Sequence, residues 1–508
     1  MLIMDNNKRI AKNTIMLYIR MLLSIVVSLY TSRVVLQTLG VDDYGIYGVV
    51  GGVVAMFSFL NASMSGATSR FITFSLGKGN MKDVNETFST AVIIHLGIAL
   101  AIIVLAETVG LWFLEYKLVI PEERMNAARI VYQFSIIAMA VQVTQVPYNA
   151  SIISFERMDV YAYVELLNVF LKLGIVYLLL LGSFDKLILY AFLVLAVNII
   201  IAFTYRIYCL RHFETCKFHW IIKKEKLYPM LSFSGWDLYG NMCYSARQQG
   251  INILINMFFG VALNAASSVA TSVQGVVSGL SANVIQAFRP QIIKQYAAGN
   301  FDEMENLMCN SIKYSLIMFL MICVPLSFVM YPVMRLWLGV VPNMAPEFCV
   351  FMLLISMLNL VNSVLCIVIH ASGNIKFLSI VTGTIYLLTI PLIYILFRYF
   401  TQEPIYAYVA SFLMMILVVL SNSMILKKQI TFISVIRFVG NVLGAFILAL
   451  VASPSLLIIN VIDNNIGKII LSFIVYIISL IIVTYSIGID KSTRDRINKT
   501  VLSRINRV

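Results

Sequence analysis

Charged residues are scarce in this sequence. Asp, Glu, Lys and Arg together make up 12% of its 508 residues, about half of the roughly 25% that soluble domains carry. Hydrophobic residues make up 60% of the chain, which is more apolar surface than one water-soluble core can bury. The composition therefore excludes an ordinary soluble enzyme or binding domain, and it predicts an all-α, polytopic membrane protein.

Cysteine and histidine are rare as well, with seven and four copies. The cysteines form no CxxC pair and no Cys/His cluster, so the sequence predicts neither a disulfide framework nor a metal site. The sequence also lacks a Walker P-loop and any Ser/His/Asp cluster, so we expect no enzymatic activity and no direct use of ATP. We expect no cofactor beyond a coupling proton or sodium ion.

A broad basic face is missing too, although the net charge is +13. Lys and Arg gather in short loops between apolar segments, as the positive-inside rule of membrane proteins demands. A protein that binds a nucleic-acid duplex needs basic residues clustered over one surface. We therefore expect no nucleic-acid partner.

Apolar segments long enough to cross a membrane occur fourteen times. A hydrocarbon layer of about 30 Å requires about 20 apolar residues per helix. The windows lie at 13–37, 44–68, 88–113, 127–152, 160–182, 187–208, 229–258, 263–288, 311–335, 347–370, 376–398, 404–425, 436–459 and 466–488. An outer-membrane barrel is excluded, because its strands would alternate in hydrophobicity over about ten residues.

The charges of the loops predict on which side of the membrane each loop lies. Basic residues occur in the N-terminal segment, the second, sixth and twelfth loops and the tail: Lys8, Arg9, Lys12, Lys78, Lys82, Arg211, Lys217, Lys223, Lys224, Lys226, Lys427, Lys428, Lys491, Arg494, Arg496, Lys499, Arg504 and Arg507. The alternate loops "GVDDYG", "VIPEERMN", "TQEP" and "IDNNIGK" are acidic or nearly neutral. This alternation predicts that both termini are cytoplasmic.

Two loops of the chain share a Gly-Asn turn that is followed by an acidic helix start. "GKGNMKDVNET" at 77–87 and "AAGNFDEMENL" at 297–307 differ in position by 220 residues, and so do Gly40 and Gly260. The offset covers six spans, an even number, so it predicts two parallel six-helix repeats. The predicted organisation is a bundle over 1–210, a basic linker over 211–226, a second bundle over 227–426, and an extra helix pair with a basic tail over 427–508. The alternative is that similar helix ends arose independently.

Polar residues follow one face of the seventh span. Asp237, Asn241, Ser245, Gln248, Asn252 and Asn256 are spaced by steps of 4, 4, 3, 4 and 4, which is one helical face. The eighth span carries a similar row that includes Gln274. Polar groups are costly in lipid, so these rows indicate a hydrated cavity. The alternative is that they hydrogen-bond between packed helices.

Four arginines lie in or at the ends of the first two spans of each repeat: Arg20, Arg70, Arg247 and Arg289. Arg247 is the deepest, sixteen residues past Leu231, or about 24 Å along the helix. The other three could instead reach a membrane surface, and Arg33 is better explained in that way. An excess of guanidinium suits a phosphate or pyrophosphate, which Arg binds bidentately. The predicted substrate-binding residues are Arg20, Arg70, Arg247, Arg289, Asn241, Gln248, Asn252 and Gln274.

A second polar group lies on the fifth span. Glu165, Asn168 and Lys172 are spaced by 3 and 4 residues and therefore share a helix face. Together with Asp237 they are candidates for a titratable or cation site that couples transport to an ion gradient. The alternative is a purely structural pair that faces the bundle.

The N-terminal segment carries a recognisable pattern. An early Arg in "NTIMLYIRMLLSIVVSLYTSRVVLQTLG", a "DYGIY" turn and then "SRFITFSLGKGN" resemble the polysaccharide-transport branch of the MATE-like (MOP) exporter superfamily, which includes the O-antigen-type flippases. The resemblance is sharpest over residues 10–90. It implies a fold of twelve plus two helices and alternating-access transport of undecaprenyl-pyrophosphate-linked oligosaccharides from the cytoplasmic to the outer leaflet.

The same resemblance implies cationic cavity residues, here Arg20, Arg70, Arg247 and Arg289, and a lipid-tail groove at spans 13 and 14. Implied partners are the lipid-linked oligosaccharide, membrane lipids, a polysaccharide polymerase and glycosyltransferases. Two alternatives remain open. One is a cation-coupled multidrug exporter of the same fold, although such exporters favour acidic cavities. The other is a non-transporting membrane scaffold in a glycan-assembly complex.

Overall fold

The computed structural model describes residues 16, 18–24, 27, 30–31, 34–35, 38–40, 43, 46–47, 50–51, 54, 58–116, 120–179, 184–220, 223–338, 341–400, 402–461, 465–488 and 494. Every regular element in this part of the chain is helical, including the described residues between 16 and 54. Arg33, the basic N-terminal segment and most of the basic tail lie outside the described residues.

The helices of the first half are α1 (Ser58–Gly77), α2 (Met81–Leu105), α3 (Leu111–Tyr116), α4 (Glu122–Ser154), α5 (Met158–Leu178) and α6 (Lys186–His212). Those of the second half are α7 (Lys224–Phe259), α8 (Val261–Ala297), α9 (Phe301–Phe328), α10 (Met330–Leu338), α11 (Ala345–Ser372), α12 (Lys376–Ile395) and α13 (Ile405–Gln429). The chain continues with α14 (Val435–Ala452) and α15 (Asn465–Val483). A π-helical turn, Ala106–Gly110, joins α2 to α3.

Ten helices of the described chain are long and apolar enough to cross a membrane. They correspond to predicted spans 3–6 and 9–14. The helices α7 and α8 are also long enough, at 36 and 37 residues, but polar side chains lower their hydropathy. They match predicted spans 7 and 8, while spans 1 and 2 are described only in part. The all-helical architecture is therefore confirmed, and it is compatible with fourteen spans.

The chain divides into two compact units. The first comprises Met1–Tyr239, Ile293–Asn300 and Gly373–Lys376. Within it α4 is the central helix, because it packs against α1, α2 and α6. The second comprises Gly240–Ile292, Phe301–Ser372 and Phe377–Val508. The domain limits inferred from the repeat, at 210, 226 and 426, stay predictions.

The extra helix pair packs against α9 within the second unit. Two charged residues of α9 lie at the ends of this pair. The Glu305 carboxylate accepts the backbone N–H of Ser434 (3.3 Å), the N-cap residue of α14. The Lys313 ammonium donates to the carbonyl of Gly488 (2.5 Å), where the helix that follows α15 ends. An acid at a helix start and a base at a helix end both complement the helix dipole, so α9 positions the pair electrostatically.

The backbone repeats itself at the predicted offset of 220 residues. Gly40 and Gly260 have φ of 80° and 83°, and Gly79 and Gly299 have φ of 75° and 77°. The helix before the second pair ends at residue 77 in one repeat and 297 in the other, and the next helix begins at 81 and 301. Positive φ is a conformation that glycine adopts without strain. The matching turns confirm the internal repeat.

Loop contacts in the first unit follow the predicted alternation of sides. Arg124 pairs with both Asp43 (2.5 Å) and Asp185 (2.6 Å), which joins three loops predicted to lie on the non-cytoplasmic side. Lys223 pairs with Glu86 (2.6 Å), which joins two loops predicted to be cytoplasmic. A membrane about 30 Å thick would separate loops on opposite sides, so these pairs support the order of the spans.

Candidate functional site

The most enclosed cation of the described chain is Arg247 on α7. Its side chain is 1% exposed and lies in the second unit. The guanidinium carbon is 5.2 Å from the ring centroid of Tyr244 and 4.8 Å from that of Tyr386 on α12. The two rings are edge-to-face, 5.5 Å apart. The sequence predicted that Arg247 is deep, and the structure shows which aromatic residues enclose it.

The charge of Arg247 lacks a carboxylate partner among the described residues. Its Nε and Nη1 atoms are buried and have no hydrogen-bond acceptor there. A desolvated cation–π contact stabilises by about 2 kcal/mol, whereas an arginine at the centre of a membrane helix costs at least about 2.5–3.5 kcal/mol. The tyrosines therefore offset much of this cost but leave the hydrogen-bonding capacity of the guanidinium unused.

Arg20, another of the predicted substrate-binding arginines, occupies a related position in the first unit. Its guanidinium carbon lies 5.1 Å from the ring centroid of Tyr161 on α5. Arg20 and Arg247 thus both belong to the first helix of a repeat, and each lies over a tyrosine of the fifth helix of the same repeat. Tyr161 is the fourth residue of α5, so the membrane-surface alternative for Arg20 and its substrate-binding role both stay predictions.

The surroundings of Arg20 differ in charge. Tyr205 of α6 is fully buried and donates a hydrogen bond to the Glu165 carboxylate (3.1 Å). Tyr161 interacts electrostatically with both Arg20 and Glu165. The structure therefore brings together Arg20, which was predicted to bind substrate, and Glu165, which was predicted to couple ions.

The two residues predicted to act with Glu165 are placed differently. The side-chain oxygen of Asn168 is buried without a partner in the described chain, whereas Lys172 is exposed. The hydrogen bond recorded for Glu165 is from Tyr205, which the sequence reasoning missed because that tyrosine is forty residues away. Asp237, the fourth residue of the predicted ion-coupling set, is half-buried on the part of α7 that belongs to the first unit.

Among the predicted polar residues of α7 and α8, two tie helices together in the second unit. Ser267 donates to Asn252 (2.9 Å) and accepts from Tyr408 (2.8 Å). Gln274 donates to Ser356 of α11 (2.7 Å). For Asn252 and Gln274 the structure thus shows the helix-packing use that was the alternative interpretation. Asn241 is exposed and Gln248 is half-buried, so a substrate-binding role for the row stays a prediction.

Arg70 and Arg289 lie toward the ends of α1 and α8. Arg70 is 4% exposed, and its guanidinium lies 4.5 Å and 4.6 Å from the rings of Phe71 and Phe74. A Cβ atom at Gly373 would lie 2.7 Å from its Nη2 atom, so the glycine leaves space for the guanidinium. Arg289 is half-buried.

The ends of α1 and α8 meet within the first unit. A Cβ atom on Gly77 would lie 2.6 Å from the Cβ atom of Ala297, its equivalent in the other repeat. Next to this contact, the Lys294 ammonium pairs with Glu156 (2.5 Å), a buried residue with φ of 60°. A contact between equivalent residues is what an approximate two-fold axis produces. The offset of 220 residues between the repeats could have predicted this contact.

The likeness of this chain to known proteins lies in its fold. No protein-family model matches the sequence, and no curated protein matches it. Solved structures do match. One is a MATE protein in a bent conformation, with TM-score 0.72 and 14% identity over 84% of this chain and 97% of that chain.

Two further matches have the same architecture. One is a multidrug resistance MATE family transporter of the MOP superfamily in an outward-facing conformation, with TM-score 0.69 and 14% identity over 84% of this chain and 96% of that chain. The other is a MOP superfamily transporter from Pyrococcus furiosus whose binding pocket has reverse polarity, which suggests a different function, with TM-score 0.66 and 13% identity over 83% and 96%. The chain therefore has the fold of these membrane transporters.

Proposed function

We propose that this protein is a flippase that moves an undecaprenyl-pyrophosphate-linked oligosaccharide from the cytoplasmic to the outer leaflet of the bacterial inner membrane. Such a flippase would serve O-antigen, capsule or exopolysaccharide synthesis, next to glycosyltransferases and a polymerase. The observation that carries the proposal is the buried guanidinium of Arg247, which has no carboxylate partner in the described chain. The exporter fold and the N-terminal sequence pattern agree with it.

A pyrophosphate supplies what the Arg247 pocket lacks. Its oxygens are acceptors for the buried Nε and Nη1 atoms, and its charge compensates the guanidinium. Charge-assisted bonds of this kind are roughly twice as strong as neutral ones, and Arg forms them in pairs. Since Arg247 is 1% exposed, a phosphate can reach it only after the side chains that cover it move aside. Binding therefore requires the site to alternate between closed and open forms.

The Arg20 group has a different role in this proposal. Glu165 lies in a cluster with Arg20 and two tyrosines, so the positive charge there is opposed by a carboxylate. Protonation of that carboxylate, or a cation bound to it, would change the charge balance of the cluster. We assign ion coupling to Glu165 and pyrophosphate binding mainly to Arg247.

A cation-coupled multidrug exporter is the second candidate, because one structural neighbour is a multidrug resistance transporter and another is a MATE transporter in complex with Rb⁺. An uncompensated arginine repels cationic drugs, so the charge of the Arg247 pocket argues against it. A neighbour with a binding pocket of reverse polarity is a precedent for different pocket charge on this fold.

The test is glycan export by Arg247 variants in cells that depend on this protein for surface polysaccharide. Arg247→Ala should abolish export while the protein still accumulates in the membrane. Arg247→Lys should restore only part, because an ammonium keeps the charge but loses the bidentate geometry. A hydrogen bond to a charged group contributes about 1.5–3 kcal/mol. Its loss should therefore weaken binding of the purified protein to undecaprenyl pyrophosphate about tenfold or more.

Arg20→Ala is the matched control, since Arg20 also lies over a tyrosine but has a carboxylate nearby. It should weaken pyrophosphate binding less than Arg247→Ala does. Normal export by Arg247→Ala at wild-type protein level would contradict the proposal. Export of a cationic drug by the wild-type protein, without any binding of undecaprenyl pyrophosphate, would favour the second candidate.

A further inference from the structure

An apolar groove runs over the first unit between α2, α4 and α6. It encloses about 610 Å³. Most of its lining is Leu, Ile, Val and Ala, and Leu100 and Ile137 remain 63% and 46% exposed. Polar side chains occur only toward its two ends: Arg206 and Thr144 at one, Glu107 and Gln133 at the other. A long apolar surface with polar ends has the character of an amphiphile site.

Arg206 supplies a positive charge at one end of the groove. Its Nη2 atom donates to the hydroxyl of Thr144 (2.8 Å), and its guanidinium lies 5.6 Å from the ring of Tyr148. Its Nε atom is buried without an acceptor among the described residues, and no carboxylate pairs with it there. This guanidinium therefore has unused donors and an uncompensated charge.

The acid at the other end is too far away to neutralise Arg206. Glu107 accepts a hydrogen bond from Gln133 (3.3 Å). Thr144 lies eleven residues after Gln133 on α4, which is about 16 Å along the helix axis. At that distance the two charges interact weakly. The counter-charge for Arg206 must therefore come from outside the groove lining.

The position of Arg206 fits the boundary between headgroups and hydrocarbon. It lies two residues before the end of the predicted span 187–208. Side chains of a helix tilt toward its N-terminus, and α6 begins on the opposite side of the membrane, so Arg206 tilts into the groove. The apolar length of about 16 Å that follows is about half of a 30 Å hydrocarbon layer, the thickness of one leaflet.

We propose that this groove binds one membrane phospholipid, with its phosphate on Arg206 and an acyl chain along α4 as far as Gln133. The charge of Arg206 matches a lipid phosphate, and its depth and the length of the groove match one leaflet. The site is separate from Arg247 and does not depend on what the protein transports.

The experiment is native mass spectrometry of the purified, delipidated full-length protein titrated with phosphatidylglycerol. Arg206→Ala should weaken binding of the first lipid about tenfold or more, as loss of a charge-assisted bond predicts, and Arg206→Lys should weaken it less. Ala140→Phe, which fills the middle of the groove but keeps the arginine, should also weaken it. Arg211→Ala removes an exposed arginine of the same helix and should bind like wild type.

Two further ligands separate the phosphate from the chain. Diacylglycerol has chains without phosphate, and glycerol 3-phosphate has phosphate without chains. Each should bind at least about tenfold more weakly than phosphatidylglycerol if both contacts contribute. Equal binding of either ligand would overturn the proposal, as would wild-type lipid binding by Ala140→Phe. If Arg206→Ala fails to fold, Arg206→Lys and Ala140→Phe still decide the question.

Discussion

A disulfide between positions 77 and 297 should stop transport by holding the ends of α1 and α8 together. These positions are equivalent in the two repeats, and their Cβ atoms would lie 2.6 Å apart. A protein that opens alternately to each side must separate equivalent helix ends on one side during each cycle. Gly77→Cys with Ala297→Cys therefore tests whether this contact opens.

The geometry allows the bond at modest strain. A disulfide needs its Cβ atoms about 3.5–4.5 Å apart, so the helix ends must move apart by about 1–2 Å. Lys294 provides the nearest other atoms, with its carbonyl oxygen 2.7 Å from the Gly77 Cβ position. Overpacking of this size costs about 1–3 kcal/mol. Once formed, the bond limits the Cα separation to about 6.8 Å, which is too short to admit a glycan.

The assay compares glycan export under oxidising and reducing conditions. The seven native cysteines are buried or half-buried, so the introduced pair should react first. The control is Thr73→Cys with Ser154→Cys. These side chains touch through a 2.7 Å hydrogen bond, but both lie in one repeat, so their disulfide should leave export intact. Export at the wild-type rate by the oxidised 77/297 pair would refute the reasoning.

Three further predictions follow from charge and topology. Transport by Glu165→Gln should lose its dependence on pH or sodium, and an unchanged dependence would leave only a structural role. Reporter fusions after Asp463 and at Val508 should report the outside and the cytoplasm, and the same side for both would contradict fourteen spans. Burial opposes ionisation of Asp185, but the hydrogen bond and charge of Arg124, together with the backbone N–H groups of Leu187 and Ile188, outweigh it and hold the Asp185 pKa below its usual range. A lowered pKa stabilises the fold above the unfolded value of about 3.9, so Asp185→Asn should lower thermal stability at pH 7, and the difference from wild type should shrink as the pH falls below that value.

The internal repeat was predictable because the turns that recur in it require particular residue types at particular positions. Glycine at a positive φ leaves a signal in the sequence wherever a helix ends in that way. Gly79 is followed by Asn80, whose side chain accepts the N–H groups of Lys82 and Asp83 at the start of α2. The equivalent Asn300 instead donates to Gln295 (2.9 Å). The turn is therefore repeated more faithfully than the side-chain cap.

The partners of the buried charges were not predictable in the same way. Tyr205 contacts Glu165 from forty residues away, and Lys294 reaches Glu156 across 138 residues. Periodicity along one helix identifies which residues share a face, but it carries no information on which neighbouring helix that face meets. For the same reason the sequence could not separate the packing use of Gln274 from a substrate-binding use.

A duplicated fold with unequal charges explains how one chain can hold two kinds of site. The first and fifth helices of each repeat place an arginine over a tyrosine, at Arg20 and at Arg247. The first repeat adds Glu165 to its cluster, and the second adds no carboxylate among the described residues. A site with a carboxylate can take up and release a proton or cation, whereas an uncompensated arginine favours an anion. The difference between the repeats, rather than their likeness, is therefore what supports separate sites for a coupling ion and for a pyrophosphate.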